Sequence, residues 1–159
     1  MADKEFRKAA EAYNSAPGLA YQRAERSLLR AFESIPNVEV PSTDGRTGNR
    51  IFELRTYESN NALTLYRKVK MFDNGEIGIF RRLNMVPVFF GETIVGTNMP
   101  NLTYMLGFDS LAAREKAWSA FGQDPEWQKM RVQPGVGDAE VVSNISNWIL
   151  SPLPGSDIR

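Results

Sequence analysis

The chain contains no cysteine and no histidine. Without cysteine there is no disulfide, no thiolate nucleophile, no Cys-type zinc site and no iron–sulfur cluster. Without histidine there is no imidazole base and no histidine ligand for haem. Any proton transfer would fall to carboxylate, lysine, tyrosine or water. An all-carboxylate metal site stays open, yet no Asp-x-Asp calcium loop suggests one, and no metal or cofactor is expected. An excess of one charge is also missing: 19 Lys and Arg balance 19 Asp and Glu. No net field therefore favours nucleic acid, an anionic membrane or an acidic substrate. No apolar run approaches the roughly 18 residues of a membrane span. The N-terminus, MADKEFRKAAEAYNS, is too charged for a secretory signal, and a cytoplasmic protein is the expectation. Gly91-Glu92-Thr93 and Gly96 make neither GxGxxG nor a Walker loop. Arg81-Arg82 is too small a basic cluster for nucleic acid, and no histidine or SxxK pattern activates a serine.

What is present reads as one well-cored domain with an appendage. At 159 residues, 42% apolar and 24% charged, the chain is ordinary for a globular protein. KEFRKAAEAYN predicts a helix over 4–14. Over 20–35, Tyr21, Ala24, Leu28, Phe32 and Ile35 have helical spacing. PNVEVPSTDGRTGN is a Pro/Gly-rich connector, and a boundary is expected there. RIFELRTYE alternates, with Phe52, Leu54 and Thr56 on one face and Glu53, Arg55 and Tyr57 on the other.

Residues 61–83 predict a long helix kinked near Gly75 and Gly78. Its apolar stripe is Val69, Phe72, Ile79, Phe80 and Leu83, with Glu76 inside it. Strands are expected over 86–95 and 101–108. Asp109 or Ser110 would cap a helix burying Leu111, Ala117, Trp118 and Phe121. Asp124-Pro125-Glu126-Trp127 opens a short helix, and 141–150 is a last strand. From residue 50 the order is β-α-β-β-α-β, so the fold class is α+β, ferredoxin-like. Both faces of its hairpin strands are apolar: Val88 and Phe90 alternate with Phe89 and Val95, and Leu102, Tyr104 and Leu106 with Met105. Such a sheet needs cover on each side, from a second copy or a sister module.

Asp3-Lys4-Glu5-Phe6-Arg7-Lys8 echoes Asp124-Pro125-Glu126-Trp127-Gln128-Lys129. SLLRAFESIP likewise echoes SNWILSPLPG. Residues 1–49 would then be the tail of an earlier copy of the module, 50–151 the module itself and 152–159 a C-terminal tail. The repeat predicts strand over Tyr21–Phe32 where the spacing predicts helix, and strand is favoured.

RIFELRTYE, KMFDNGEIGIFRR, PVFFGETIVG, PNLTYMLGF, REKAWSAF and DPEWQK, in that order, resemble the NIPSNAP domain of the dimeric α+β barrel superfamily. The resemblance implies face-to-face sheet dimers or tandem pseudo-dimers and no agreed reaction. Animal relatives are mitochondrial. Related barrels elsewhere include cofactor-free monooxygenases, haem-handling enzymes and isomerases, a link of fold alone.

A candidate site follows from the alternation in 50–58. If Phe52 and Leu54 lie beneath the helices, then Glu53, Arg55 and Tyr57 enter the space between sheets, where Tyr104 joins them. Such a set would hold a small apolar or acidic ligand, with Arg55 as anion clamp. The plainer alternative is an ion pair of Glu53 with Arg55 or with a dimer mate. Glu76, on an apolar stripe, must be paired with Lys68 or Arg55 or keep its proton. Trp118, Trp127 and Trp148 are expected as core and interface anchors. The leading expectation is a non-catalytic, self-associating binding or interaction module, a homodimer or pseudo-dimer through the sheet face. The alternative is a cofactor-independent monooxygenase or isomerase drawing on Glu53, Arg55, Tyr57, Tyr104 or Glu76.

Overall fold

The computed structural model describes residues 3–18, 21–45 and 48–159. Ala20, at the start of the disputed 20–35 stretch, and Arg46 and Thr47 of the connector lie outside the described residues. Five strands form one antiparallel sheet in the order β1-β3-β4-β2-β5. They are β1 (Leu28–Ala31), β2 (Ile51–Glu58), β3 (Val86–Val95), β4 (Asn101–Phe108) and β5 (Asn144–Leu150). Without β1 this is the ferredoxin-like order that the β-α-β-β-α-β reading predicts. The disputed stretch resolves as a short strand, 28–31, on the outer edge of β3. Immediately after it, Phe32 and Ile35 turn into the core.

Helix α1 (Lys4–Ser15) buries none of its residues. The expected long helix is three pieces: α2 (Ala62–Met71), a wide π turn at 72–76, and α3 (Ile77–Arg82). Gly75 breaks the helical backbone where the kink was expected. Asn61 starts α2 with a reciprocal cap. Its side chain accepts from the Leu63 and Thr64 amides, and its own amide donates to the Thr64 hydroxyl. Ser110 accepts from the Ala113 amide and starts α4 (Leu111–Gln123). Asp124 accepts from the Glu126 and Trp127 amides and starts α5 (Pro125–Met130). A further turn, α6 (Asp138–Val141), is a helix the sequence did not suggest. Of the expected buried side of α4, Phe121 is buried and Ala117 and Trp118 are partly so, but Leu111 is 55% exposed. It stands at the first helical position of α4.

The core lies between these helices and one face of the sheet. Phe72, Phe80, Phe121 and Trp127 from the helices meet Phe90, Leu102, Tyr104 and Leu106 from the strands. Tyr104 stacks on Phe90 with ring centroids 4.8 Å apart and on Phe80 at 6.2 Å.

The other face is only partly covered within the chain. The described residues of the 3–49 segment do not supply a second sheet, because β1 lengthens the first one sideways. The sheet is open and is not a closed barrel. Leu54, Phe89 and Met105 are half-exposed on that face, and Trp148 is 68% exposed. Residues 151–158 return over one end of it, beside Phe52, Met105 and Leu150.

Candidate functional site

Strand pairing reverses the expected faces of β2. Glu53, Arg55 and Tyr57 stand opposite Leu106, Tyr104 and Leu102, the core face of β4. They therefore lie beneath the helices, and it is Phe52 and Leu54 that face the open side. The reversal has a tertiary cause. Glu53 is fully buried and accepts five hydrogen bonds from four side chains. Arg55 Nη1 donates at 2.8 Å. Arg114 donates through both Nε, at 2.8 Å, and Nη2, at 2.5 Å. Trp118 Nε1 donates at 2.8 Å and Asn147 Nδ2 at 2.9 Å. Arg114 and Trp118 are four residues apart on one face of α4, and Asn147 is the β5 partner of Arg55. Burial alone would raise the Glu53 pKa. The bonds from Arg114, Asn147 and Trp118, with the Arg55 charge, outweigh that and hold it at about 2.

Polar contacts continue along the sheet. Arg55 Nη2 donates to the Tyr57 hydroxyl at 3.1 Å, and the Tyr104 hydroxyl donates to the same oxygen at 2.9 Å. The Arg55 guanidinium also lies 4.5 Å from the Trp118 ring centroid. Its Nε is buried without a partner. Burial and the neighbouring phenol push Tyr104 well above the ordinary tyrosine range, so its hydroxyl remains protonated.

Lys68 and Glu76 form a second buried cluster. Their side chains are 1% and 2% exposed, and Nζ lies 3.0 Å from the Glu76 carboxylate. Asp138, at the start of α6, adds a carboxylate at 3.1 Å. The rings of Phe72, Trp127 and Tyr57 surround the ammonium at 4.7, 5.3 and 5.6 Å. Burial works against the charge on Lys68, but the Glu76 and Asp138 carboxylates prevail and raise its pKa.

The structure thus brings all six expected residues into the layer between helices and sheet, in two polar clusters. It ties Glu53, Arg55, Tyr57 and Tyr104 into one and Lys68 and Glu76 into the other. The sequence reading missed Asn147, Trp118, Asp138 and Arg114 as partners. The i, i+4 spacing of Arg114 and Trp118 was the available signal. Asn147 and Asp138 had none, since only the pairing of β5 and the docking of α6 deliver them. Glu126 sits in the first turn of α5 and also pairs with Arg82 at 3.2 Å.

Surface clefts lined by described residues include these four. The two with most charge or polarity lie between Arg30, Glu92 and Lys70, and between Arg82, Asp109 and Lys116. The other two are mainly apolar, one beside Leu29 and Phe89 and one beneath residues 151–158. None of the four is lined by the six expected residues. Among the described residues no group of three acidic side chains is placed to hold a metal. Nor is any helix among them long and apolar enough to cross a membrane.

No curated protein matches the chain. Solved structures do. A NIPSNAP family protein of Agrobacterium tumefaciens strain C58 superposes with a TM-score of 0.62 at 20% identity, covering 77% of this chain and all of that one. Another from the same strain, described as of unknown function, gives 0.60 at 20% identity over 72% of this chain and 97% of its own. An uncharacterized NIPSNAP-like domain protein of Burkholderia xenovorans gives 0.59 at 20% identity, over 68% and 89%. Identities this low establish the shared fold alone. The family itself is shown by the NIPSNAP sequence model, which matches residues 52–157. The β-α-β-β-α-β module and the tail that follows it place this chain in the NIPSNAP family.

Proposed function

We propose that this NIPSNAP-family chain acts as a non-catalytic interaction module that self-associates through the helix-free face of its sheet. One observation carries the reading: that face is apolar and incompletely covered. Leu54, Phe89, Met105, Trp148 and Leu150 lie on it, with Trp148 and Leu150 exposed. An aromatic anchor amid aliphatic neighbours is the composition of an interface centre. A second copy presenting the same patch would bury both in a two-fold arrangement. The tandem reading of the sequence echo also draws support, because Asp3 and Asp124 each cap a helix by accepting from the amide two residues on.

The alternative, a cofactor-independent monooxygenase or isomerase, draws less support. Glu53, Arg55, Tyr57, Tyr104 and Glu76 spend their hydrogen bonds on one another and on Arg114, Trp118, Asn147 and Lys68. Sedimentation velocity over a concentration series is the test. The expected outcome is a dimer at micromolar concentration that Trp148→Glu converts to monomer without loss of fold. A wild-type chain that stays monomeric would overturn the reading. Native mass spectrometry of the same samples reports any retained small molecule.

A further inference from the structure

We infer that residues 151–158 act as a strap that competes with a second copy for the helix-free face and so limits self-association. The inference rests on the self-association reading above. Leu150 ends β5, and Pro152 and Pro154 follow, neither of which can donate to a ladder. The chain then reverses in a turn closed by the Ser156 amide donating to the Leu153 carbonyl at 3.0 Å. Gly155 makes the reversal at φ 85°, the left-handed region that other residues seldom enter. Ser156 further donates its hydroxyl to the Ile158 carbonyl at 2.9 Å. The returning segment comes down over Phe52, Met105 and Leu150.

Those three residues are continuous with the rest of the patch. Phe52 and Leu54 are alternate residues of β2, and Leu150 and Trp148 are their partners on β5. Strap and second copy would therefore meet the same face, and both cannot cover its Phe52 end. The strap fits that end loosely. A cleft of about 500 Å³ remains between it and the sheet, and Leu153, its largest apolar side chain beside Ile158, is 77% exposed. A cover so poorly filled yields to a surface of better complementarity. While it is closed, only the open fraction of molecules can associate, and the apparent affinity falls by that fraction.

Two variants test this. Gly155→Val keeps the whole chain and disfavours the turn, and the position is uncluttered, with no atom within 4 Å of the added Cβ. A stop after Ser151 removes the strap. Both are compared with wild type and Trp148→Glu by sedimentation velocity, with thermal melts to check folding. The expected result is a dimer dissociation constant at least about tenfold tighter in both variants, abolished when Trp148→Glu is added. If wild type dimerises through Trp148 but both variants associate equally or more weakly, the strap is not a competitor and the interface reading survives. If no protein in the set associates, that reading fails and the strap proposal falls with it. Should the truncated chain unfold, the Gly155→Val result decides.

Discussion

Lys68 and Glu76 stand eight residues apart in sequence and 3.0 Å apart in space, both shut away from water. Along a regular α-helix, eight residues rise about 12 Å. The wide turn at 72–76 between them breaks that spacing and re-aims the carboxylate towards the ammonium. A buried pair of this kind is sensitive to the loss of one member and far less so to the loss of both. The reason is that the cost lies in the charge left behind.

Lys68→Met should therefore destabilise the chain by about 3–5 kcal/mol, since Glu76 loses its buried partner. Adding Glu76→Leu to that variant should recover part of the loss. Urea unfolding of wild type, both single variants and the double variant measures the coupling. A double variant weaker than Lys68→Met alone would contradict this account.

Glu53 makes acid stability predictable in sign. Its folded pKa of about 2 lies below the ordinary value of 4.5. The unfolded chain therefore binds the proton more readily, and stability falls as pH drops. The contribution is complete above about pH 5 and is lost between there and pH 2, a total of roughly 3 kcal/mol. Glu53→Gln should be less stable than wild type at pH 7, because Arg55 and Arg114 lose their carboxylate. Its stability should also change less steeply from pH 5 to pH 3. Denaturation midpoints across that range are the measurement, and parallel slopes for the two proteins would refute the assignment.

Tyr57 should matter more than Tyr104, although both are buried phenols. Tyr104→Phe removes one donor, at about 1 kcal/mol. Tyr57→Phe removes the oxygen that serves both Tyr104 and Arg55 Nη2, and Arg55 already has a buried Nε without a partner. Its cost should be the larger by about 1–2 kcal/mol, read from the same unfolding curves.

Gly91 marks the seam between β1 and the rest of the sheet. A Cβ there would come within 2.8 Å of Leu29 Cβ. Gly91→Ala should lift β1 from β3 and loosen Phe32, whose amide donates to the Phe90 carbonyl at 3.1 Å. Hydrogen exchange should quicken at Phe32 while the β2–β4 ladder keeps its protection. Unchanged exchange at Phe32 would show that the seam tolerates a methyl group.

Much of the fold was legible because its signals are local. Alternation in IFELRTYE and in the 86–95 and 101–108 strands needs only the two-residue period of a strand. The Ser110 and Asp124 caps need only a side chain two or three residues before an amide. The stretch 20–35 was ambiguous because its spacing favours helix. Its residues 28–31 become a strand because β3 offers a free edge and Phe32 and Ile35 find the core. The candidate site was legible as a set of residues and was placed on the wrong side. A strand with Phe52 and Leu54 on one face and Glu53, Arg55 and Tyr57 on the other invites burial of the first set. The second set was buried instead because Arg114, Trp118 and Asn147 arrive from α4 and β5 to satisfy Glu53. No local rule counts donors that come from nearly a hundred residues away.

The sequence by itself determined the chemistry available to this protein and the order of its elements. Proton transfer in a chain without cysteine or histidine falls to carboxylate, lysine, tyrosine or water, and strand and helix periods depend on neighbouring residues alone. Only the tertiary structure decided which face of β2 went inward. That choice depends on whether buried charges find partners, and their partners are brought together by folding.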